Sequence, residues 1–215
     1  MSGAPERTDD RSGAAGILAG GEDPRADGDE RVIGVAISIP EPYGSELQRW
    51  RATFGDPLAD AIPTHVTLLP PTAIGAEALP EVERHLLRVA AGTEPFGIRL
   101  HGTATFRPVS PVIFVALAEG ISSCEQLASA VRSGPLDREL AFPYHPHVTV
   151  AHDLEEETLD RAYRALDGYA CAFTVQAFSL YEHGSDRVWR PQRDFALGGP
   201  LPGPLPSGHR DSHTG

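Results

Sequence analysis

Two stretches decide how this chain folds: "IPTHVTLLPP" at residues 62–71 and "HPHVTVAH" at residues 145–152. Each sets a His-x-Thr triplet at the head of an apolar run, His65-Val66-Thr67 in one and His147-Val148-Thr149 in the other. Along a β-strand, residues i and i+2 point to the same face. Each triplet therefore presents an imidazole beside a hydroxyl, while Val66, Leu68, Val148 and Val150 turn the other way, towards a core. Short apolar runs bounded by proline and other turn-forming residues read as strands.

Working outward, the first motif is preceded by a strand, "RVIGVAISIP" (31–40), and a helix, "YGSELQRWRATFG" (43–55). Leu47, Trp50, Arg51 and Phe54 stand at helical spacings, with Ser45 a candidate cap. A second helix, "GAEALPEVERHLLRVAAG" (75–92), follows, with Pro80 near its start and Gly92 closing it. The strand "FGIRLHGTATFR" (96–107) comes next. Then the order begins again. "PVIFVALA" (111–118) is a strand, "SSCEQLASAVRS" (122–133) a helix, and the second motif a strand. "EEETLDRAYRALDG" (155–168) is a helix whose acidic opening suits the positive N-terminal end of the helix dipole. "YACAFTVQAFSLYEH" (169–183) and "RVWRPQRDFALG" (187–198) form a terminal hairpin around Gly184-Ser185. Strand–helix–strand–helix–strand thus occurs twice, and the histidines fall 33 and 35 residues after residues 32 and 112, which open the two units. The expected fold is α+β and bilobal: lobes of about 32–107 and 110–197, antiparallel sheets lining a central cleft, helices outside. Residues 1–31 and 198–215, rich in Gly and Pro and without apolar periodicity, are expected to be disordered tails.

The composition narrows the function. The formal net charge is −12, and every basic side chain is arginine. Sequence-independent binding along a nucleic acid backbone needs a basic stripe and is not expected. A cleft that grips a single phosphate with a few local groups is compatible with an acidic surface. Two isolated cysteines, Cys124 and Cys171, make neither a disulfide framework nor a zinc site. No apolar run is long enough to cross a membrane, and the acidic N-terminus lacks the basic start of a secretory signal. A reduced, cytoplasmic protein is the expectation.

Two facing imidazoles fit phosphodiester chemistry. A neutral ring takes a proton from the attacking water or hydroxyl, and an imidazolium gives one to the leaving oxygen. Threonine hydroxyls can donate to the non-bridging phosphate oxygens. The sequence leaves open which histidine is acid and which is base.

The doubled "THVTLLPP" and "HPHVTVAH" resemble the signature of the two-histidine phosphoesterase superfamily, closest to its 2′-5′ RNA ligase-like and RNA 2′,3′-cyclic phosphodiesterase branch. The resemblance extends over about 32–197, including the order of elements. It implies two lobes of antiparallel strands with both motifs in a central cleft. It also implies His65 and His147 as the catalytic pair, Thr67 and Thr149 as phosphate ligands, and no cofactor or metal. The expected substrate is an RNA end, a short oligonucleotide or a cyclic nucleotide. Neither a protein partner nor a membrane is expected, and the chain is expected to be a monomer. Tyr144 and Phe142 are candidates to stack a base, and Arg190, in "VWRPQR", is a candidate phosphate clamp. Two alternatives remain. One is a binding module that holds a phosphorylated ligand without turnover. The other is a metal-dependent hydrolase built on His145 and His147, with His152 and Asp153 nearby. His85, His101 and His183 are expected in structural or surface roles, and His209 and His213 in the C-terminal tail.

Overall fold

Both motif stretches form strands, with Val66 and Val148 fully buried and Thr67 and Thr149 partly exposed. The computed structural model describes residues 30–199. In chain order the elements are β1 (Glu30–Ser38), α1 (Tyr43–Phe54), β2 (His65–Gly75), α2 (Leu79–Ala91), β3 (Phe96–Thr105), β4 (Val112–Glu119), α3 (Ile121–Val131), β5 (His147–His152), α4 (Glu156–Ala165), β6 (Ala170–Val175), β7 (Ala177–His183) and β8 (Trp189–Ala196). Two four-stranded antiparallel sheets result, ordered β2-β1-β7-β8 and β5-β4-β3-β6. The α+β class and paired antiparallel sheets match the sequence expectation.

The two sheets are built alike where the motifs lie. β2 and β5 are edge strands, each opened by its histidine and paired with the first strand of its own half. His65 stands opposite Ser38 and Thr67 opposite Ala36; His147 stands opposite Ala116 and Thr149 opposite Phe114. Just beyond each threonine the register slips by one residue: Val35 pairs with Leu69, and Ile113 with Ala151. Such a bulge lets two successive residues serve the same side. Leu68 with Leu69, and Val150 with Ala151, are all fully buried in one core. Val66 and Val148 join them as expected.

The sheets exchange strands between the sequence halves. β3 belongs to the first unit in sequence but pairs with β4 and β6. β7 and β8 come last in the chain but complete the first sheet beside β1. The stretch 169–183, expected as one arm of a hairpin, is two strands in different sheets, parted at Gln176. The Gln176 carbonyl leaves the ladder and accepts from the Leu197 amide at 2.8 Å. α1 packs on β5 and α3 on β2, so the first helix of each half lies against the motif strand of the other.

Smaller differences have local causes. Ser45 lies inside the first turn of α1 and donates its hydroxyl to Glu41 Oε1 at 2.6 Å, so it is not the cap. Residues 30 and 31 belong to β1, so the strand starts before the expected tail boundary. The rest of the N-terminal tail, and residues 200–215 with His209 and His213, lie outside the described residues. Gly92 closes α2 as expected. Among the described residues no helix is long and apolar enough to cross a membrane.

Candidate active site

The two histidines are held in the same way. His65 Nδ1 donates to the Pro63 carbonyl at 2.7 Å, and His147 Nδ1 donates to the His145 carbonyl at 2.7 Å. A carbonyl can only accept, so Nδ1 carries the proton in both rings, and Nε2 is the nitrogen left for chemistry. The bond to residue i−2 also fixes each ring's direction.

β2 and β5 meet along their free edges. The Tyr144 hydroxyl, in the segment that leads into β5, donates to the Thr67 carbonyl on β2 at 2.8 Å. The rings are close enough that a proton on His147 disfavours one on His65. Burial is the main cause that lowers both histidines from 6.5 to about 4; the carbonyl bonds oppose it, and the Arg51 charge adds to the lowering at His65. The His145 ring lowers His147 further. Without a bound anion both rings are neutral at pH 7.

On the His65 side the positioning comes from α1. Arg51, 2% exposed, donates Nε to Asp56 Oδ2 at 3.0 Å and Nη1 to the Ile62 carbonyl at 3.0 Å. Gln48 Nε2 reaches the same carbonyl at 3.2 Å, and Thr64 Oγ1 donates to the Gly44 carbonyl at 3.0 Å. Together these bonds fix residues 56–64, the approach to His65. The signal in the sequence was a charged residue, Arg51, at a core position of an amphipathic helix.

On the His147 side the wall is aromatic. The rings of Phe106 and Phe114 each lie 5.0 Å from the His147 ring, centroid to centroid. His145 is exposed and stacks nearly parallel to His147 at 6.5 Å. Sequence reasoning passed over Phe106 and Phe114 because the stretches that hold them carry no motif. The register sets Phe114 opposite Thr149, and Phe106, just past the end of β3, packs on Phe114 with ring centroids 4.5 Å apart.

The expected residues do not all converge. His65 and His147 lie near enough to interact electrostatically, and Thr67 and Thr149 follow them by two residues on β2 and β5, which approach one another. Tyr144 acts as a latch between them: its hydroxyl is occupied by Thr67, and the Arg132 guanidinium lies 4.8 Å from its ring centroid. Phe142 is 44% exposed in the same connecting segment. Arg190 is not brought to the histidines. It pairs in register with Glu182, on the face of the first sheet opposite His65, and is bound to Asp186 of the β7–β8 turn. Among the described residues, no three His, Cys, Asp or Glu side chains group in a way that could hold a metal, so His145 and His147 lack a third ligand there. His85 is buried on α2 and donates Nε2 to the Val131 carbonyl at 3.1 Å, a structural role.

The sequence profile of the 2′-5′ RNA ligase superfamily matches residues 39–187. The protein named "Putative phosphoesterase OB1230", from Oceanobacillus iheyensis, is 30% identical over 167 residues, spanning 77% of this chain and 97% of its own. The fold is similar to that of E. coli LigT, solved with 3′-AMP: TM-score 0.60, 22% identity, 79% of this chain and 99% of the other. LigT has also been solved with NADP+ (TM-score 0.60, 22% identity, 80% and 100% covered). TT0787 of Thermus thermophilus superposes with a TM-score of 0.52 at 24% identity, covering 78% and 98%.

Proposed function

This chain belongs to the 2′-5′ RNA ligase superfamily, and from that premise we propose that it is a metal-independent phosphodiesterase acting on 2′,3′-cyclic phosphate, or 2′-5′ phosphodiester, ends of RNA or small nucleotides. The observation that carries the reading is the doubled histidine geometry, with Nδ1 anchored and Nε2 left for chemistry on both facing strands. One Nε2 takes a proton from water as its oxygen bonds to phosphorus. The P–O bond to a ribose oxygen breaks, and the other ring, as imidazolium, supplies that oxygen's proton. Thr67 and Thr149 donate to the non-bridging oxygens, where charge builds. A ribose 5′-hydroxyl that attacks the cyclic phosphate in place of water, with the P–O3′ bond breaking and the 3′-oxygen taking the proton, gives 2′-5′ ligation; the same step run backward cleaves a 2′-5′ linkage.

The low proton affinity of both rings fits this cycle. A phosphate held between them favours the charged form of a neighbouring imidazole, so one proton is taken up with the substrate. That leaves one ring charged and one neutral, the state acid–base catalysis needs. Ligands named for relatives, 3′-AMP and NADP+, support a nucleotide as the bound group.

The test is turnover of adenosine 2′,3′-cyclic monophosphate followed by ³¹P NMR with chelator present. The reading predicts conversion to a monophosphate that survives chelation and is lost in both His65→Ala and His147→Ala. Tight binding with no conversion would assign the chain to a binding module. Conversion that stops on chelation would restore the metal-dependent alternative.

A further inference from the structure

The two motif strands belong to different sheets and share no ladder, so other bonds must set their spacing. Two consecutive residues of the second half reach both motifs. Tyr144 donates its hydroxyl to the Thr67 carbonyl at 2.8 Å, and the His145 carbonyl accepts from His147 Nδ1 at 2.7 Å. Thr67 and His147 are thereby tied to one short stretch of backbone. The tie runs one way. Tyr144 stands three residues before His147, and Ile62 stands three before His65. The Ile62 side chain packs with Ala36, Tyr181 and Trp189 and has no polar group to return the bond.

The Tyr144 ring is itself held. It packs against the main core, and the Arg132 guanidinium, at the end of α3, lies 4.8 Å from its centroid. Arg132 Nε donates to the Ala128 carbonyl at 3.0 Å, which fixes the guanidinium to the last turn of α3, and α3 packs on β2. Burial is the main cause that raises the phenol above its ordinary range, so it stays a donor through neutral pH. Carbonyls on the free edge of a sheet are ordinarily satisfied by water. Here a phenol from the other half takes that place and fixes a distance as well.

We propose that Tyr144 is a positioning residue: through Thr67 it sets the spacing of the two motif strands, so that one phosphate meets both imidazoles in the alignment proton transfer requires. This rests on the phosphoesterase reading. Binding tolerates more slack than turnover. Hydrogen bonds to phosphate oxygens survive small displacements, whereas an ångström of misplacement at the reacting atoms costs about 10²-fold in rate. Arg138 supplies a control within the molecule. It lies in the same connecting segment and also reaches β2, but at the Pro71 carbonyl, 3.1 Å away and beyond the motif.

The experiment compares wild type, Tyr144→Phe and Arg138→Met in two measurements. One is steady-state turnover of adenosine 2′,3′-cyclic monophosphate. The other is NMR titration of the His65 and His147 rings with adenosine 3′-monophosphate bound. Tyr144→Phe keeps the ring under Arg132 and removes only the hydroxyl. It should lower kcat about tenfold or more with KM near the wild-type value. At least one ring should also respond less to the nucleotide than in wild type, a change that a merely stabilising bond would not cause. Arg138→Met should leave both measurements unchanged. The proposal is overturned if Tyr144→Phe keeps the wild-type kcat and both ring shifts, or if KM rises while kcat holds, which makes the hydroxyl a binding group. It is also overturned if Arg138→Met causes the same loss, which makes the effect one of tethering the segment at large. Wild type that binds the nucleotide but converts no cyclic phosphate overturns the phosphoesterase reading, and the ring shifts then decide the placement by Tyr144 on their own. Wild type that does neither overturns both. Urea midpoints of both variants, measured alongside, show that each is folded.

Discussion

At the residue scale the proposed chemistry rests on two rings, His65 and His147, each with Nδ1 bonded to a carbonyl and Nε2 available. Replacing either histidine by alanine should lower kcat on a cyclic nucleotide by roughly 10²–10⁴-fold, the usual worth of a placed proton-transfer group, while the far-ultraviolet spectrum stays unchanged. The pH profile should carry the same signature. The kcat/KM profile reports the free protein, where both rings titrate near 4. It should therefore fall as pH rises above about 5, because fewer molecules carry one charged and one neutral ring. The limb seen in kcat should lie at higher pH, since bound phosphate raises the proton affinity. Stability follows from the same shifts. The rings hold a proton less tightly folded, at about 4, than unfolded, at about 6.5, so the unfolded chain binds more protons between those values. Their contribution to stability is fully present above about pH 6.5 and is lost as pH falls through 4. The urea midpoint should be higher at pH 7 than at pH 5, and His147→Gln should reduce that difference.

At the element scale, what matters is how the approach to His65 is fixed. Arg51 and Asp56 form a buried ion pair, 2% and 4% exposed, and Asp56 Oδ1 also accepts the Leu58 amide at 2.9 Å. Removing one partner of a buried pair strands the other charge, at a cost of about 3–5 kcal/mol. Asp56→Ala should therefore lower stability by that order in urea unfolding, and an isosteric Arg51→Met, Asp56→Leu double variant should recover much of it. The motif strands were legible because period-two alternation and the repeated His-x-Thr are local signals. The bulges after Thr67 and Thr149 were not, since a register slip exists only between two strands. The break at Gln176 was also hidden. "ACAFTVQAFSLYEH" alternates without a proline or glycine, so nothing local marks where the chain changes sheets. Arg190 shows the same limit from the other side. Its position on a terminal strand was readable, but which face it takes depends on the β7–β8 register, and that turns it to Asp186.

At the scale of the whole molecule, duplication and strand exchange act together. The repeat of order in the sequence announced two sheets and two facing motifs. It could not announce that β3 crosses to the second sheet and β7–β8 return to the first, because the hydrophobic pattern of a strand does not name its neighbour. The exchange has a mechanical consequence. Each motif strand sits in a sheet completed by the other half and under a helix of the other half. A fragment ending near residue 109 would lack β7 and β8 from its own sheet and leave β3 without β4 and β6. Such a fragment should give the dispersionless NMR spectrum of an unfolded chain, and co-expression with 110–199 should restore a folded complex. Independent folding of either half would contradict the exchange.

The central claim is that one phosphate is shared by both rings, and histidine titration by NMR tests it most directly. The Cε1–H resonances of His65 and His147, assigned with the single alanine variants, are followed against pH with and without adenosine 3′-monophosphate. The account predicts that both titrate near pH 4 in the free protein and that the nucleotide raises both. A nucleotide that moves one ring and leaves the other unchanged would contradict it.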